Sequence, residues 1–189
     1  MKKNYLTLNV ILFVWTLAAA CSGNDTATDS RQPQNAVNIR ENIEKVNKIL
    51  VEKDKDRIKS FLQRHKLQAT FDDTGFWFAE IEKGNGVKIQ NGTMVALKCT
   101  INLLDGTPCY TYDESNPLIF IVGKSNELSE TTNMQNAVSG LHSALLLAED
   151  QSRCVFVFPP HLAHGITGDG NNIPPRSVLV YDVKVLEVQ

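Results

Sequence analysis

The amino-acid sequence indicates an α+β fold, in which an antiparallel sheet curls over one short helix. Stretches rich in β-branched and aromatic residues, typical of strands, occupy much of residues 76–122. One amphipathic helix is predicted next, at residues 137–149, and strand-like stretches follow it at 153–158 and 176–188. Strands that lie before and after a lone helix, instead of alternating with helices, favour an antiparallel sheet.

A helical extension is predicted before the strands, at residues 36–70. Its apolar residues recur at helical spacing, and they are Ile39, Ile43, Val46, Leu50, Ile58, Phe61 and Leu62. The pattern fits one long amphipathic helix or two shorter ones. We expect the apolar stripe to pack on the domain predicted at residues 71–189. A dimerisation arm is the alternative, although the stripe covers few turns for a coiled coil.

The strand-rich domain is predicted to begin with a turn at residues 72–75 and an aromatic strand at 76–81. A longer strand follows at 93–104. The pair Asp105-Gly106 comes directly after it, and Asp-Gly is favoured in tight hairpins. We therefore expect the chain to reverse there.

A short strand is predicted at residues 118–122, and the polar loop 124–136 separates it from the helix. Within the predicted helix, four apolar residues share one face, namely Val138, Leu141, Leu145 and Ala148. This face is expected to pack on the sheet.

Two proline pairs bracket the loop between the last two strands. Pro159 and Pro160 lack the N–H group that a strand ladder needs, so the strand at 153–158 must end before them. Pro174 and Pro175 mark in the same way where the last strand can begin. The loop between the pairs is stiff and partly apolar, which suits a segment that covers a cavity.

The N-terminus has the pattern of a bacterial lipoprotein signal, with a signal peptide at residues 1–20. Lys2 and Lys3 are followed by an apolar stretch that is too short for a membrane-spanning helix. Small residues precede Cys21, which we predict to carry a lipid that tethers the protein to a membrane. An ordinary secretory signal with an incidental cysteine is the alternative. Residues 21–35 contain few apolar side chains and are predicted to be a flexible tether.

Composition and charge exclude some functions. The chain has 189 residues and a net charge of −2, without the basic excess of nucleic-acid-binding proteins. Beyond the predicted lipidation site, Cys99, Cys109 and Cys154 show no C-x-x-C spacing, so neither a zinc site nor a thioredoxin-like motif is indicated. His161 and His164 lack a third ligand at a suitable spacing. No metal is therefore predicted.

The C-terminal motifs resemble the signature of FKBP-type peptidyl-prolyl isomerases. They read Phe-Pro-Pro-x-Leu-Ala-x-Gly from Phe158, Gly-x-Gly from Gly168, and Ile-Pro-Pro-x-x-x-Leu-Val-x-Asp-Val from Ile173. The order of predicted elements agrees, so the resemblance extends from about Phe76 to the C-terminus and implies an FKBP-like fold. The motif at residues 74–78 and the Leu-Asp-Gly hairpin with its following tyrosine are most similar to the gliding-motility-associated FKBP-type lipoproteins of Bacteroidota.

This resemblance implies isomerisation of prolyl bonds in proline-containing polypeptides, without a cofactor. Amide resonance sets a barrier of about 18–20 kcal/mol to rotation, and an apolar cleft that favours the less polar, twisted amide lowers it. The implied catalytic residues are Tyr181, the pocket aromatic on the last strand; His164, at the place of a loop tyrosine; and Tyr110, at the place of an aspartate. The implied substrate-binding residues are Cys99, Cys109, Leu118, Val138, Leu141 and Ile173.

Several of these residues differ from the family. Leu141 replaces a tryptophan, which would enlarge the cavity, and Cys99 and Tyr110 replace a tyrosine and an aspartate that bond to each other. We expect an apolar pocket with weak activity. His164 is predicted to donate a hydrogen bond to the substrate carbonyl, and a solvated loop histidine is the alternative. A disulfide between Cys99 and Cys109 is a further option.

The predicted function is a prolyl isomerase that assists the folding of envelope proteins and is held at the outer membrane by the lipid on Cys21. The alternative is a non-catalytic binding module on the same scaffold, within an envelope, secretion or gliding machine, because a fold does not by itself specify a function. Some FKBP-type proteins have N-terminal dimerisation helices, so a dimer through the helical extension is also open.

Overall fold

The structure is a computed structural model that describes residues 31–124 and 137–189, with side chains from residue 38 onward. The chain divides into two units, Met1–Glu44 and Lys45–Gln189, and each is considered by itself. The predicted signal peptide and Cys21 lie outside the described residues, as does most of the polar loop before the second helix.

Helix α1 spans Arg31–Arg64 as one continuous helix, so the extension is not split in two. It begins inside the predicted tether at 21–35; the other domain boundaries stay predictions. A Schellman motif ends the helix: Lys66 has a positive φ of 54°, and the Leu67 N–H donates to the Leu62 carbonyl at 3.0 Å. This turn directs the chain into the sheet.

Seven strands form one antiparallel sheet in the described part of the chain. They are β1 (Thr70–Phe71), β2 (Trp77–Glu82), β3 (Met94–Leu103), β4 (Pro108–Tyr112), β5 (Leu118–Ile121), β6 (Arg153–Phe158) and β7 (Leu179–Val188). Their order across the sheet is β1-β2-β6-β7-β3-β4, and β5 also pairs with β3. The last two strands of the chain therefore lie at the centre of the sheet, where β7 pairs with both β6 and β3.

Helix α2 spans Ser139–Leu145 and is shorter than the predicted helix at 137–149. Its N-terminal end is set by Val138, whose backbone is extended (φ −68°, ψ 152°). Beyond its C-terminal end, Glu149 forms an isolated antiparallel bridge with Lys88, which a continuing helix would prevent.

Both faces of the sheet are covered. On the inner face, Leu141, Ala144 and Leu145 of α2 share a buried cluster with Phe156 and Phe158 of β6. On the outer face, a second cluster combines residues of α1 with the opposite side of β2, β6 and β7, namely Ile58, Phe61, Leu62, Trp77, Val155, Val157 and Val180. The C-terminal part of the α1 stripe thus packs on the sheet, as expected for an amphipathic helix.

Candidate functional site

The predicted pocket residues meet on the inner face of the sheet. Six of them belong to one buried cluster, and these are Cys99, Cys109, Leu118, Leu141, Ile173 and Tyr181. Tyr110 and Val138 pack against the same cluster and are half-buried. His164 lies in the loop between β6 and β7, next to Ala163, which also packs on the cluster. The structure therefore places the predicted residues around one region.

The floor of this site is closed. The six clustered side chains are at most 7 % exposed, and Cys99 and Leu141 are fully buried. Leu141, which stands where the family has a tryptophan, shares this cluster with the rings of Phe156 and Phe158. The more accessible members of the site are Tyr110, Val138 and His164, which are half-buried and which we call its rim.

Three phenylalanines that were not predicted as site residues support this floor. The rings of Phe158 and Tyr181 meet edge to face with centroids 5.1 Å apart, and Phe156 stacks on Phe158 at 6.0 Å. Phe76 adds a tilted contact with Phe158 at 5.6 Å. Aromatic pairs at these distances fix ring orientations as well as burying area. The alternation of Phe156 and Phe158 along β6 was the available signal that both face the inner side.

A hydrogen-bonded link joins β4 to the loop between β6 and β7 at the rim. The Tyr110 hydroxyl donates to Oδ2 of Asp169, and the Asn172 side-chain amide donates to the Cys109 carbonyl at 3.0 Å. Burial raises the pKa of Asp169, but hydrogen bonds from Tyr110 and from the Asn171 and Ile173 N–H groups outweigh it and lower this pKa to about 2. Asp169 was missed from the sequence, where it was visible only as the middle residue of Gly168-Asp-Gly170.

The loop that carries His164 is held close to Ile173. Gly168 has a φ of 74°, and a Cβ there would lie 2.2 Å from the Ile173 carbonyl oxygen. The Gly168 N–H donates to the His164 carbonyl at 3.2 Å. Only glycine allows both the left-handed backbone and this close approach, which brings the two predicted site residues onto one compact turn.

The cysteines of the site are not joined. Cys99, Cys109 and Cys154 are buried free thiols, and Cys99 lies opposite Tyr112 in the β3–β4 hairpin. A bulge near Asn102 shifts the register where Cys109 would pair. Burial raises the pKa of each of the three thiols, which keeps them protonated and weakly reactive.

Neither a metal site nor a membrane-spanning helix is present in residues 31–124 and 137–189. No three His, Cys, Asp or Glu side chains converge there in a way that could hold a metal ion. Neither α1 nor α2 combines the length and the apolar character that crossing a bilayer requires.

A separate groove of about 600 Å³ lies on the outer face of the sheet. Its lining is mostly apolar and includes Val51, Ile58, Phe71, Trp77, Pro160 and Ile166. The groove is bounded on one side by α1 and on the other by the loop that follows β6. It lies across the sheet from the predicted pocket and was not foreseen.

Comparison with known proteins gives one family. Residues 85–186, more than half of the chain, match the model for "FKBP-type peptidyl-prolyl cis-trans isomerase". A probable FKBP-type isomerase of Haemophilus influenzae is 31% identical over 117 residues, and the FKBP-type 22 kDa isomerase of Escherichia coli is 30% identical over 116. These alignments cover 58% and 61% of this chain and 48% and 51% of the relatives. The chain thus spans about half the length of the curated relatives it matches.

Solved structures agree on the fold. Escherichia coli FkpA aligns with a TM-score of 0.58 at 21% identity, covering 100% of this chain and 84% of that one. An isomerase from Pseudomonas syringae aligns with a TM-score of 0.55 at 22% identity, covering 69% and 90% of the two chains. Identities this low concern the fold alone. They confirm the predicted α+β architecture, an FKBP-like antiparallel sheet with an N-terminal helix.

Proposed function

This chain belongs to the FKBP-type peptidyl-prolyl cis-trans isomerase family, and we propose that it isomerises prolyl bonds of polypeptides at the rim of the inner-face cluster. The observation that carries the proposal is the convergence of Tyr181, Leu141 and Ile173 on one apolar site beside the proline-bounded loop. An apolar surface favours the twisted amide, in which charge separation is smaller than in the planar one. No nucleophile is needed for this reaction.

The activity is proposed to be weak. A closed floor leaves a substrate proline in contact with the rim instead of fully enclosed, so less of the twisted amide is removed from water. His164 is proposed to donate a hydrogen bond from the rim to the substrate carbonyl, which orients the amide. Replacement of His164 by alanine should then weaken peptide binding, and unchanged binding in an NMR titration would rule this role out.

Isomerase activity is best measured without a coupling protease, by NMR exchange on an Xaa-Pro peptide. We expect the wild-type protein to accelerate exchange and Tyr181→Ala to lower kcat/KM about tenfold, since that ring belongs to the buried cluster of the site and contacts Phe158 edge to face. Val180→Ala is a matched control, because Val180 is the adjacent residue of β7 and is buried on the outer face. Absence of acceleration at high protein concentration would refute the proposal.

The protein is further proposed to be a lipoprotein of the cell envelope, anchored at the outer membrane through Cys21, where it would assist the folding of envelope proteins. The support is the sequence pattern of the first residues, which is typical of a lipoprotein signal. Labelling with a radioactive fatty acid in a bacterial host should mark the wild-type chain and leave Cys21→Ser unlabelled. Equal labelling of both would contradict the anchor.

A dimer through α1 is a further proposal. Ile39 and Ile43 are more than half exposed, and their i,i+4 spacing places them side by side on one face of α1. A second copy of the helix would cover them. Light scattering should report a dimer for the wild-type chain and a monomer for Ile43→Lys, whereas Glu41→Lys, on the opposite side of the helix, should leave the dimer intact. A monomeric wild-type chain at high concentration would contradict this proposal.

The second candidate function is a non-catalytic binding module, such as a part of a gliding or secretion machine. Two observations favour it: the closed floor of the pocket and the apolar groove of about 600 Å³ on the opposite face. The motifs at residues 74–78 and 104–110, which are similar to those of gliding-associated lipoproteins, point to the same setting. A folded wild-type protein that binds Xaa-Pro peptides without accelerating exchange would favour this function over the enzyme.

A further inference from the structure

Two segments that are distant in sequence meet at the rim of the proposed isomerase site. One is β4, which carries Tyr110, and the other is the turn around Asp169 in the loop between β6 and β7. These two residues are 59 positions apart, yet the Tyr110 hydroxyl donates directly to the Asp169 carboxylate. The contact is therefore a product of the fold and not of local sequence.

The Asp169 carboxylate is fixed on both of its oxygens. Oδ1 accepts the N–H groups of Asn171 at 2.9 Å and Ile173 at 2.8 Å, so the turn itself orients the group. Oδ2 accepts the Tyr110 hydroxyl. Because the carboxylate cannot rotate without losing backbone hydrogen bonds, it fixes the direction of the Tyr110 ring.

The same contact fixes the loop that holds two predicted site residues. Ile173 is buried in the cluster, and its backbone N–H donates to Asp169. The backbone carbonyl of His164 accepts the N–H of Gly168, the residue directly before Asp169. A shift of Asp169 away from Tyr110 would move both of them relative to β4. The Tyr110–Asp169 contact, together with the hydrogen bond from the Asn172 side chain to the Cys109 carbonyl, thus sets the distance between β4 and the loop at the rim.

We propose that Asp169 is a positioning residue of the isomerase site, which holds the Tyr110 ring and the loop bearing His164 and Ile173 in the arrangement that substrate requires. This inference rests on the proposed function. It also alters one conclusion from the sequence. A tyrosine–aspartate hydrogen bond was expected to be missing, because Cys99 and Tyr110 occupy the two places; the structure contains such a bond between other positions, with the tyrosine on β4 and the aspartate on the loop.

The ionised state of Asp169 supports the contact. With a pKa lowered to about 2, the carboxylate is charged throughout the neutral range and remains a strong acceptor. The hydrogen bond to Asp169 in turn raises the pKa of Tyr110, because ionisation of the hydroxyl would remove the donated hydrogen and place two negative charges together. This reciprocal effect gives the contact a signature that is independent of activity.

The test uses the variants Asp169→Asn, Tyr110→Phe and the double variant in the full chain. Asp113→Asn is a matched control, since Oδ1 of Asp113 also accepts two backbone N–H groups, from Ser115 and Asn116 at 2.9 Å. Its carboxylate is exposed, and within the described residues it accepts hydrogen bonds from Ser115 and Asn116 and from no tyrosine. NMR signals of the tyrosine rings give the Tyr110 titration, and exchange on an Xaa-Pro peptide gives kcat/KM.

We expect Asp169→Asn to lower the pKa of Tyr110 toward its ordinary value of about 10 and to reduce kcat/KM about fivefold. Tyr110→Phe should reduce kcat/KM by a similar factor, and the double variant by no more than the larger single effect, because both changes remove the same contact. Asp113→Asn should alter neither quantity by more than about twofold.

Two results would overturn the inference. An unchanged Tyr110 titration in Asp169→Asn would show that the contact is absent in solution, whatever the activity. A shifted titration with unchanged or additive effects on kcat/KM would show a contact without a positioning role. If the wild-type protein does not accelerate exchange, the proposed function fails. The affinity for the peptide, measured from NMR shifts, is then compared among wild type, the two single variants and the double variant in place of kcat/KM. If Asp169→Asn does not fold, kcat/KM of Tyr110→Phe is compared with that of wild type, since this variant removes one oxygen and keeps the ring.

Discussion

Replacement of Gly140 by alanine is expected to destabilise the protein by about 2–3 kcal/mol, the upper part of the range for overpacking a core. Gly140 lies in the first turn of α2, and an added Cβ would come within 2.7 Å of both the Leu162 carbonyl oxygen and a ring carbon of Phe158. Alanine has the better helix propensity by about 1 kcal/mol, which acts in the opposite direction. The steric term should prevail, because a backbone carbonyl and a packed ring cannot move aside cheaply.

Chemical denaturation followed by circular dichroism would measure this difference. Ser143→Ala, on the exposed side of the same helix, is the matched control and should change the free energy of unfolding by less than about 0.5 kcal/mol. Isomerase activity should fall with Gly140→Ala as well, since the shifted helix carries Leu141 of the site floor. A Gly140→Ala protein as stable as wild type would show that α2 does not approach the loop as closely as described.

Much of the fold could be predicted from local signals. Asp105-Gly106 forms the hairpin that its composition indicated, with the Leu103 N–H donating to the Thr107 carbonyl at 2.9 Å. Pro159 follows the last residue of β6, as its missing N–H requires. Burial of both sheet faces had a signal too: an unbroken apolar run from Cys154 to Phe158 does not alternate and so indicates a strand covered on both sides.

The candidate site was less predictable, because its properties depend on contacts between distant segments. The family resemblance named residues that lie in one region of the fold, but it did not show that Leu141 is fully buried, since burial depends on the distant residues, Phe156 and Phe158 among them, that share its cluster. Nor could the bond between Tyr110 and Asp169 be found, because no local rule pairs residues that far apart. Their meeting depends on the β3–β4 register, which contains a bulge.

The second large effect is expected at an ion pair, buried on the Asp54 side only, that joins α1 to the loop of the site. Nη2 of Arg176 lies 3.0 Å from Oδ2 of Asp54. The backbone N–H of Arg176 donates to the Gly165 carbonyl at 3.0 Å. The Asp54 side chain is only 9 % exposed, whereas that of Arg176 is 34 % exposed. Removal of one partner therefore has unequal consequences, which depend on the partner that remains.

Arg176→Ala should reduce the free energy of unfolding by about 3 kcal/mol at neutral pH, near the lower end for breaking a buried pair. It leaves the Asp54 carboxylate buried, with the Arg57 guanidinium at 3.7 Å as the remaining cation. Asp54→Ala should cost less, about 2 kcal/mol, because the remaining guanidinium is partly exposed and can be hydrated. Denaturant titrations of both variants would measure this order.

Glu52→Ala is the control that separates the effect of burying an ion pair from the effect of the distance between its charges. Glu52 and Lys55 have the same N–O separation of 3.0 Å, but their side chains are 60 % and 37 % exposed. Water already solvates both charges, so we expect a change below about 0.5 kcal/mol. Equal effects for Glu52→Ala and Arg176→Ala would mean that the Asp54 carboxylate is hydrated in solution and that α1 does not cover it. A larger loss for Arg176→Ala, with altered NMR signals at Gly165, would show that the helix stabilises the loop on which the site depends.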